Sequence, residues 1–142
     1  MTAKQLSVFI ENRQGRLGEV LHVLKENGVN ILSMSLADTT EYGILRLIVN
    51  NPEAGRDVLI EGGFSSIITE VLIIKVPHVA GALQSTLELI SDKNVNIEYM
   101  YGLSVEEKDA SIVMKTNDLA VACDVLRAAG IDTLTSDEIA KL

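Results

Sequence analysis

The chain has 142 residues, of which 47% are hydrophobic and 23% charged, a balance that builds a buried core and excludes wholesale disorder. Twelve Lys and Arg stand against 20 Asp and Glu, giving a net charge of −8, so nucleic acid and anionic membrane surfaces are excluded as partners. A single Cys rules out an internal disulfide and a multi-thiolate metal centre, and two Phe, three Tyr and no Trp leave little for stacking on bases.

Leu6, Val8 and Ile10 alternate, which predicts a half-buried strand over residues 5–11. Residues 12–18 form a polar, glycine-bearing loop. Leu17, Val20, Leu21 and Leu24 recur at helical spacing and predict an amphipathic helix over 16–27, stopped by Asn27-Gly28. A second strand follows over 29–36, a turn over 37–41, and a third, mostly apolar and therefore central strand over 42–50. Asn51-Pro52 starts a helix, because an Asn cap precedes a residue that has no N–H to satisfy. That helix ends near Gly62-Gly63, and a strand runs over 65–76. The pattern then recurs: strand 71–76, helix 82–93, strands 95–102 and 110–115, helix 118–129 with Leu119, Ala122, Cys123 and Leu126 on one face, and a last strand near 133–136.

The recurrence is a sequence repeat. Residues 10–31, IENRQGRLGEVLHVLKENGVNI, align without a gap on residues 76–97, VPHVAGALQSTLELISDKNVNI. Gly15 falls on Gly81, Leu17 on Leu83, Leu21 on Leu87, and Val29-Asn30-Ile31 on Val95-Asn96-Ile97. One inserted residue later, Asp57-Val58-Leu59 falls on Asp124-Val125-Leu126. The order strand, helix, strand, strand, helix, strand is the split βαβ arrangement. The expected fold is α+β: two ferredoxin-like βαββαβ modules, 1–70 and 71–142, in a joint antiparallel sheet with helices on one face. The other face must be covered or polar. Residues 67–76 are too few for two full strands and a linker, so one strand closes the first copy and opens the second.

Asn12-Arg13-Gln14-Gly15-Arg16-Leu17, followed by Gly28-Val29-Asn30-Ile31, resembles the ACT domain, a small regulatory module that typically binds amino acids. Its pattern is an acidic or amide residue, a variable residue, Pro, Gly and a hydrophobic residue two on, then a helix and Gly-hydrophobic-Asn-Ile. The run Glu11-Asn12-Arg13 is similar to the regulatory domain of phosphoglycerate dehydrogenase. The second copy matches through His78, Gly81, Leu83, Asn96 and Ile97. Gln14 and Ala80 stand where the family has Pro, and Ile10 stands where serine-sensing relatives have His, so serine specificity does not carry over.

The resemblance implies modules paired edge to edge through their second strands, with ligands between one module's loop and the other's strand. That sets Asn12, Arg13, Gln14, Gly15, Arg16 and Leu17 against the segment from Asn96 to Tyr101, with Ile97, Tyr99 and Met100 in it. It sets the segment from His78 to Leu83, with Gly81 and Ala82 in it, against the segment from Asn30 to Met34, with Ile31 in it. The residues themselves suit a zwitterion. A loop entering a helix N-terminus offers N–H groups to a carboxylate, glycine lets a ligand approach the backbone, and Asn12 both donates and accepts. Asn30 and Asn96 begin the strand after the helix and are expected near the same end of the sheet. Each group also has a plainer reading. Gly15 and Gly81 serve as turn residues, Asn30 and Asn96 as partners of loop backbone, and Arg13 and Arg16 as solvated charge. Tyr99-Met100-Tyr101 pack a module interface, and His78 is structural. His22 is expected on the solvent side of its helix, and Cys123 in the core.

Three functions compete. One is a cytoplasmic sensor that binds an amino acid and acts by allostery or partner contact. Another is a regulatory subunit similar to the small subunit of acetolactate synthase, with a metabolic enzyme as its partner. The last is an acylphosphatase-like hydrolase, with Arg13, Gly15, Arg16 and Gly18 imitating the phosphate loop. No Ser-His-Asp set, Cys-His pair, metal-ligand cluster or P-loop is evident, and the second copy's loop lacks Lys and Arg. The sequence therefore reads as a non-enzymatic regulatory protein, a homodimer with no cofactor and no metal. The start, Met-Thr-Ala-Lys-Gln-Leu, lacks the pattern of a signal peptide, and no apolar run is long enough for a bilayer.

Overall fold

The computed structural model describes residues 2–11, 13–38 and 41–141, with Asp38 through its backbone alone. Contacts divide the described residues into two units, residues 4–69 with 140 and 141, and residues 70–139 with 2 and 3.

In the first unit, β1 (Ala3–Glu11), α1 (Arg16–Glu26), β2 (Ile31–Asp38), β3 (Tyr42–Val49), α2 (Pro52–Glu61) and the start of β4 (Ser65–Pro77) follow the predicted order. The strands are hydrogen-bonded in the order β2-β3-β1-β4. β1 and β3 are antiparallel, from Leu6 opposite Leu47 to Glu11 opposite Tyr42. β2 and β3 are antiparallel from Ile31 opposite Val49 to Asp38 opposite Gly43, with an irregularity between Ile31 and Ser33. Alternation turns Leu6, Val8 and Ile10 of β1 and Leu45, Leu47 and Val49 of β3 to one side, where they join Val20, Leu24, Leu59 and Phe64 in a closed core. Asn51 caps α2: its Oδ1 accepts the Ala54 N–H at 3.2 Å, and Pro52 occupies the first turn. Gly55 lets α2 settle onto the sheet, since a Cβ there would lie 2.7 Å from Leu6 Cδ1.

The second unit takes the rest of β4, α3 (Ala82–Ser91), β5 (Ile97–Val105), β6 (Asp109–Thr116), α4 (Leu119–Ala128) and α5 (Ser136–Ala140). Its strands run β4-β6-β5, antiparallel from Leu72 opposite Met114 to Pro77 opposite Asp109, and from Ile97 opposite Thr116 to Val105 opposite Ala110. Leu72, Ile74, Val76, Ile112 and Met114 pack with Ile90, Ala122, Cys123 and Leu126. Asp118 caps α4 by accepting the Val121 N–H at 3.1 Å. β4 is continuous over 13 residues, so a single strand closes one βαββαβ module and opens the next. The chain is α+β.

The last strand expected over 133–136 is corrected. It shrinks to one bridge, Thr133 with Ile74, flanked by hydrogen bonds from Leu134 N–H to the Ile73 carbonyl (2.8 Å) and from Lys75 N–H to the Asp132 carbonyl (3.2 Å). Thr135 and Glu138 account for the change. Thr135 Oγ1 accepts the Glu138 N–H, and Glu138 Oε1 accepts the Thr135 N–H, each at 3.3 Å. This reciprocal cap starts α5, whose Ile139 is buried.

The sheet face away from the helices is covered in one part and polar in another, while Phe9 and Ile67 on it stay exposed, against the expectation that it is covered or polar throughout. Val71, Ile73 and Val113 are fully buried. In the first unit Gln5 and Ser7 are buried with hydrogen bonds of their own: Gln5 Nε2–H donates to Ser7 Oγ at 3.0 Å, and Ser7 Oγ meets Thr69 Oγ1 at 2.9 Å. No helix of the described residues is long and apolar enough to cross a membrane.

Candidate functional site

Both glycine loops fold alike. In the first, the Arg13 N–H returns to the Glu11 carbonyl at 2.8 Å, and the Arg16 N–H reaches the Arg13 carbonyl at 3.4 Å. Gly15, at φ +89°, is the residue before α1, and the Glu19 N–H closes the first turn on its carbonyl. In the second, Gly81 at φ +83° precedes α3, the Ala82 N–H reaches the Val79 carbonyl, and the Ser85 N–H and hydroxyl both donate to the Gly81 carbonyl at 3.0 Å. Positive φ is the reason for glycine at both positions. A Cβ at either one would meet nothing within 4 Å, so the backbone is also open to approach.

The cap chemistry separates these helices from the other two long ones. Asn51 and Asp118 cap α2 and α4 with their own side chains, whereas the cap residues of α1 and α3 are glycines, which have no side chain to cap with. An uncapped N-terminus presents N–H groups and the positive end of the helix dipole to whatever lies beyond it. The two copies thus share one asymmetry: the first helix opens outward and the second is closed.

The remaining loop side chains are placed as follows. Asn12 lies outside the described residues. Arg13, exposed, donates from Nε to Glu11 Oε2 at 2.8 Å, and Gln14 is exposed. Arg16 turns inward: its guanidinium lies 4.4 Å from the centre of the Phe64 ring and pairs with Glu19, while its Nε is buried without a partner. The two cations that an acylphosphatase loop would aim at one phosphate are therefore held by different neighbours. Leu17 and Ile31 pack on the first core, and Leu83, Ile97 and Met100 on the second. Ala82 and Tyr99 are half-buried, and His78 is exposed while its N–H donates to the Lys108 carbonyl at 2.8 Å. His22 faces solvent and Cys123 is buried in the core.

Asn30 and Asn96 correct the expected geometry. The loop follows the end of β1 where Glu11 faces Tyr42, whereas Asn30 precedes the end of β2 where Ile31 faces Val49. A strand–helix–strand crossover returns the chain to the end from which it started. Within one copy, loop and asparagine therefore stand at opposite ends of strands roughly 25 Å long. The backbone of each asparagine is clasped. The Asn30 N–H donates to Asn50 Oδ1 at 2.9 Å and the Asn50 N–H to the Asn30 carbonyl at 3.1 Å. Asn96 and Asn117 repeat both bonds at the same distances. Asn50 and Asn117 escaped the sequence reading, although each stands directly before a helix cap in its copy.

Asn30 and Ile31 also line a cleft of about 430 Å³ at the C-terminal end of α1, together with Leu21, Lys25 and Gly28. Lys25 was not anticipated; its signal was a lone basic residue in the last turn of α1. A cleft of similar volume lies between the ends of α3 and α4, lined by Leu89, Asp92, Lys93 and Val125, and holds none of the expected residues. Among the described residues, no group of three or more His, Cys, Asp or Glu is placed to hold a metal ion.

A family model described as an ACT domain pair matches residues 1–142. Among solved structures, protein BT0572 from Bacteroides thetaiotaomicron superposes with a TM-score of 0.94 at 37% identity, over 100% of this chain and 98% of that one. The ligand-free regulatory subunit of aspartate kinase from Thermus thermophilus follows the same fold, with a TM-score of 0.62 at 18% identity, over 89% of this chain and 90% of that one. Aspartate kinase from Clostridium acetobutylicum does so with a TM-score of 0.53 at 16% identity, over 90% of this chain and 33% of that one. No curated protein matches.

Proposed function

The chain belongs to the ACT domain family as a pair of such modules, and from that premise we propose that it is a non-catalytic regulatory protein of the cytoplasm that binds an amino acid. The observation that carries this reading is the twinned opening of α1 and α3: each starts from a left-handed glycine that has no side chain to cap it, at the same place in both copies. A carboxylate completes such a terminus. The ligand site combines residues 12–17 or residues 78, 81, 82 and 83 of one module with the strand start of another, at Asn30 and Ile31 or at Asn96, Ile97, Tyr99 and Met100. Two facts support a site built from two modules. Loop and asparagine of one copy stand at opposite ends of its sheet. In the hydrogen-bonded order of the strands, β2 and β5 stand first and last, the positions at which a neighbouring strand adds to a sheet. We take that neighbour to come from a second copy of the chain, in a homodimer.

A thermal-shift screen of the twenty amino acids at millimolar concentration, followed by calorimetry on the best, tests the reading. A ligand that binds only the folded chain raises its Tm by mass action. The absence of any shift and any heat across the panel overturns it.

A second reading, a regulatory subunit whose main ligand is an enzyme, is favoured by extent. The Thermus thermophilus chain similar to this one over nine-tenths of both lengths is itself a regulatory subunit. Copurification with a metabolic enzyme from native cells supports this reading; recovery of this chain alone counts against it.

A further inference from the structure

The cleft at the end of α1 holds a cation and no carboxylate. Leu21, Leu24, Val29 and Ile31 supply its apolar wall, Lys25 and Asn30 stand among them, and no acidic residue lines it. Among the described residues Lys25 makes no ion pair or hydrogen bond through its side chain. Arg13 and Arg16 of the glycine loop, by contrast, are held by Glu11 and Glu19. In the cleft of the second unit Lys93 has Asp92 beside it.

The end of α1 closes without this ammonium. The Val23 carbonyl accepts from Asn27 Nδ2 at 2.8 Å, the Leu24 carbonyl from the Val29 N–H at 2.9 Å, and the Lys25 carbonyl from the Gly28 N–H at 3.1 Å. The side-chain groups left to a ligand are the Lys25 ammonium, a donor, and the amide of Asn30, whose backbone alone is clasped by Asn50. Such donors beside an apolar wall suit a carboxylate on a short carbon stem. Lys25 also offsets the negative end of the helix dipole, which would otherwise turn an anion away.

The second copy shows that the cation is an addition. Residues 21, 24, 29, 30 and 31 fall on Leu87, Ile90, Val95, Asn96 and Ile97, so wall and amide recur, but Lys25 falls on Ser91. The fold and the common part of the strand start manage without it.

We infer, on the premise that the chain binds an amino acid, that the strand start at Asn30 takes one whose side chain ends in a carboxylate, and that Lys25 selects the charge. The α-carboxylate of the ligand belongs to the glycine-preceded helix opening of the neighbouring module, so the second carboxylate is the group that Lys25 meets. The strand start at Asn96, with Ser91 in place of Lys25, does not tell an acid from its amide.

Calorimetry on the full chain with aspartate, asparagine, glutamate and glutamine tests the inference. The expected result is an acid that binds at least about fivefold more tightly than its own amide, as an ion pair at a protein surface allows, with a preference that shrinks as salt is added. Lys25→Ser, which copies Ser91, weakens the acid and leaves the amide unchanged, and Lys25→Arg keeps the preference. Ser91→Lys extends it to the second strand start. Lys93→Ser, the same change of net charge at another place, leaves it as it is. An amide bound as tightly as its acid, a chain that takes only neutral amino acids, or a preference that survives Lys25→Ser overturns the inference and leaves the amino-acid reading standing. No binding by any of the twenty overturns both.

Discussion

Asn117 answers Asn96 twice: its Oδ1 accepts the Asn96 N–H at 2.9 Å, and its own N–H donates to the Asn96 carbonyl at 3.1 Å. Asn50 does the same for Asn30. The two members of each pair therefore have different work. The second asparagine uses its side chain to hold the first, whose own amide is left at the exposed strand start. Asn50→Ala or Asn117→Ala is expected to cost about 0.5–1.5 kcal/mol in denaturant unfolding. Asn30→Ala and Asn96→Ala stay within about 0.5 kcal/mol of the parent and weaken amino-acid binding instead. Equal stability losses from both members would refute this division.

Gly15 and Gly81 are needed for their backbone angles rather than for lack of room. Gly15→Val and Gly81→Val are each expected to cost about 1–2 kcal/mol through the left-handed conformation, leaving a folded chain with its ligand response removed. Gly18, inside α1 with open space around it and no positive φ, behaves oppositely. Gly18→Ala raises stability by about 0.5 kcal/mol, since helix favours Ala. Thermal melts with and without the ligand found in the screen separate the three.

Gly55 is a case of room. Its Cβ would press on Leu6, which is fully buried and cannot swing aside. Gly55→Ala is expected to destabilise the first unit by about 1–3 kcal/mol, despite the better helix propensity of Ala. A neutral or positive effect in urea unfolding would mean that α2 shifts freely on the sheet.

Lys4 on β1 pairs with Glu53 in the first turn of α2, and this hydrogen bond, ahead of a bond from its own backbone, holds the Glu53 carboxyl below the ordinary 4.5. A carboxyl depressed on folding stabilises above its unfolded value, and that stability is lost as pH falls through the folded one. Both side chains are about half exposed, so the pair is worth less than about 1 kcal/mol. Glu53→Gln should therefore melt slightly below the parent at neutral pH and match it once the pH falls well below 4.5. A gap that persists in acid would place the effect outside the ion pair.

Most of the architecture was legible because periodicity and cap chemistry agreed. Asn51-Pro52 and Asp118 announced α2 and α4, and the alternation of Leu6, Val8 and Ile10 announced β1. The repeat located the strand that ends one module and begins the next. The error at the C-terminus came from two signals on the same residues. Extended propensity near Thr133 lost to the reciprocal cap of Thr135 with Glu138, a Thr-x-x-Glu spacing that was present to be read. The site was less legible. Proximity along the motif put loop and asparagine at one end of the sheet, but the direction of the crossover, a property of three dimensions, parts them. Neither reading of Arg16, carboxylate clamp or solvated charge, included its packing on Phe64, because nothing in the sequence ties it to a residue 48 positions on beyond the fold itself.

The parting of loop from asparagine gives each module a polarity, like a bar with unlike ends. Two such bars laid side by side in the same direction bring like to like, and neither end is completed. Laid in opposite directions they bring unlike to unlike at both ends at once. A ligand that needs both ends is thus admitted only by antiparallel neighbours, and such neighbours make its berths in pairs. The count of ligand bound per pair of modules should accordingly be even, and a preparation that saturates at one per pair would mark an alignment broken at one end.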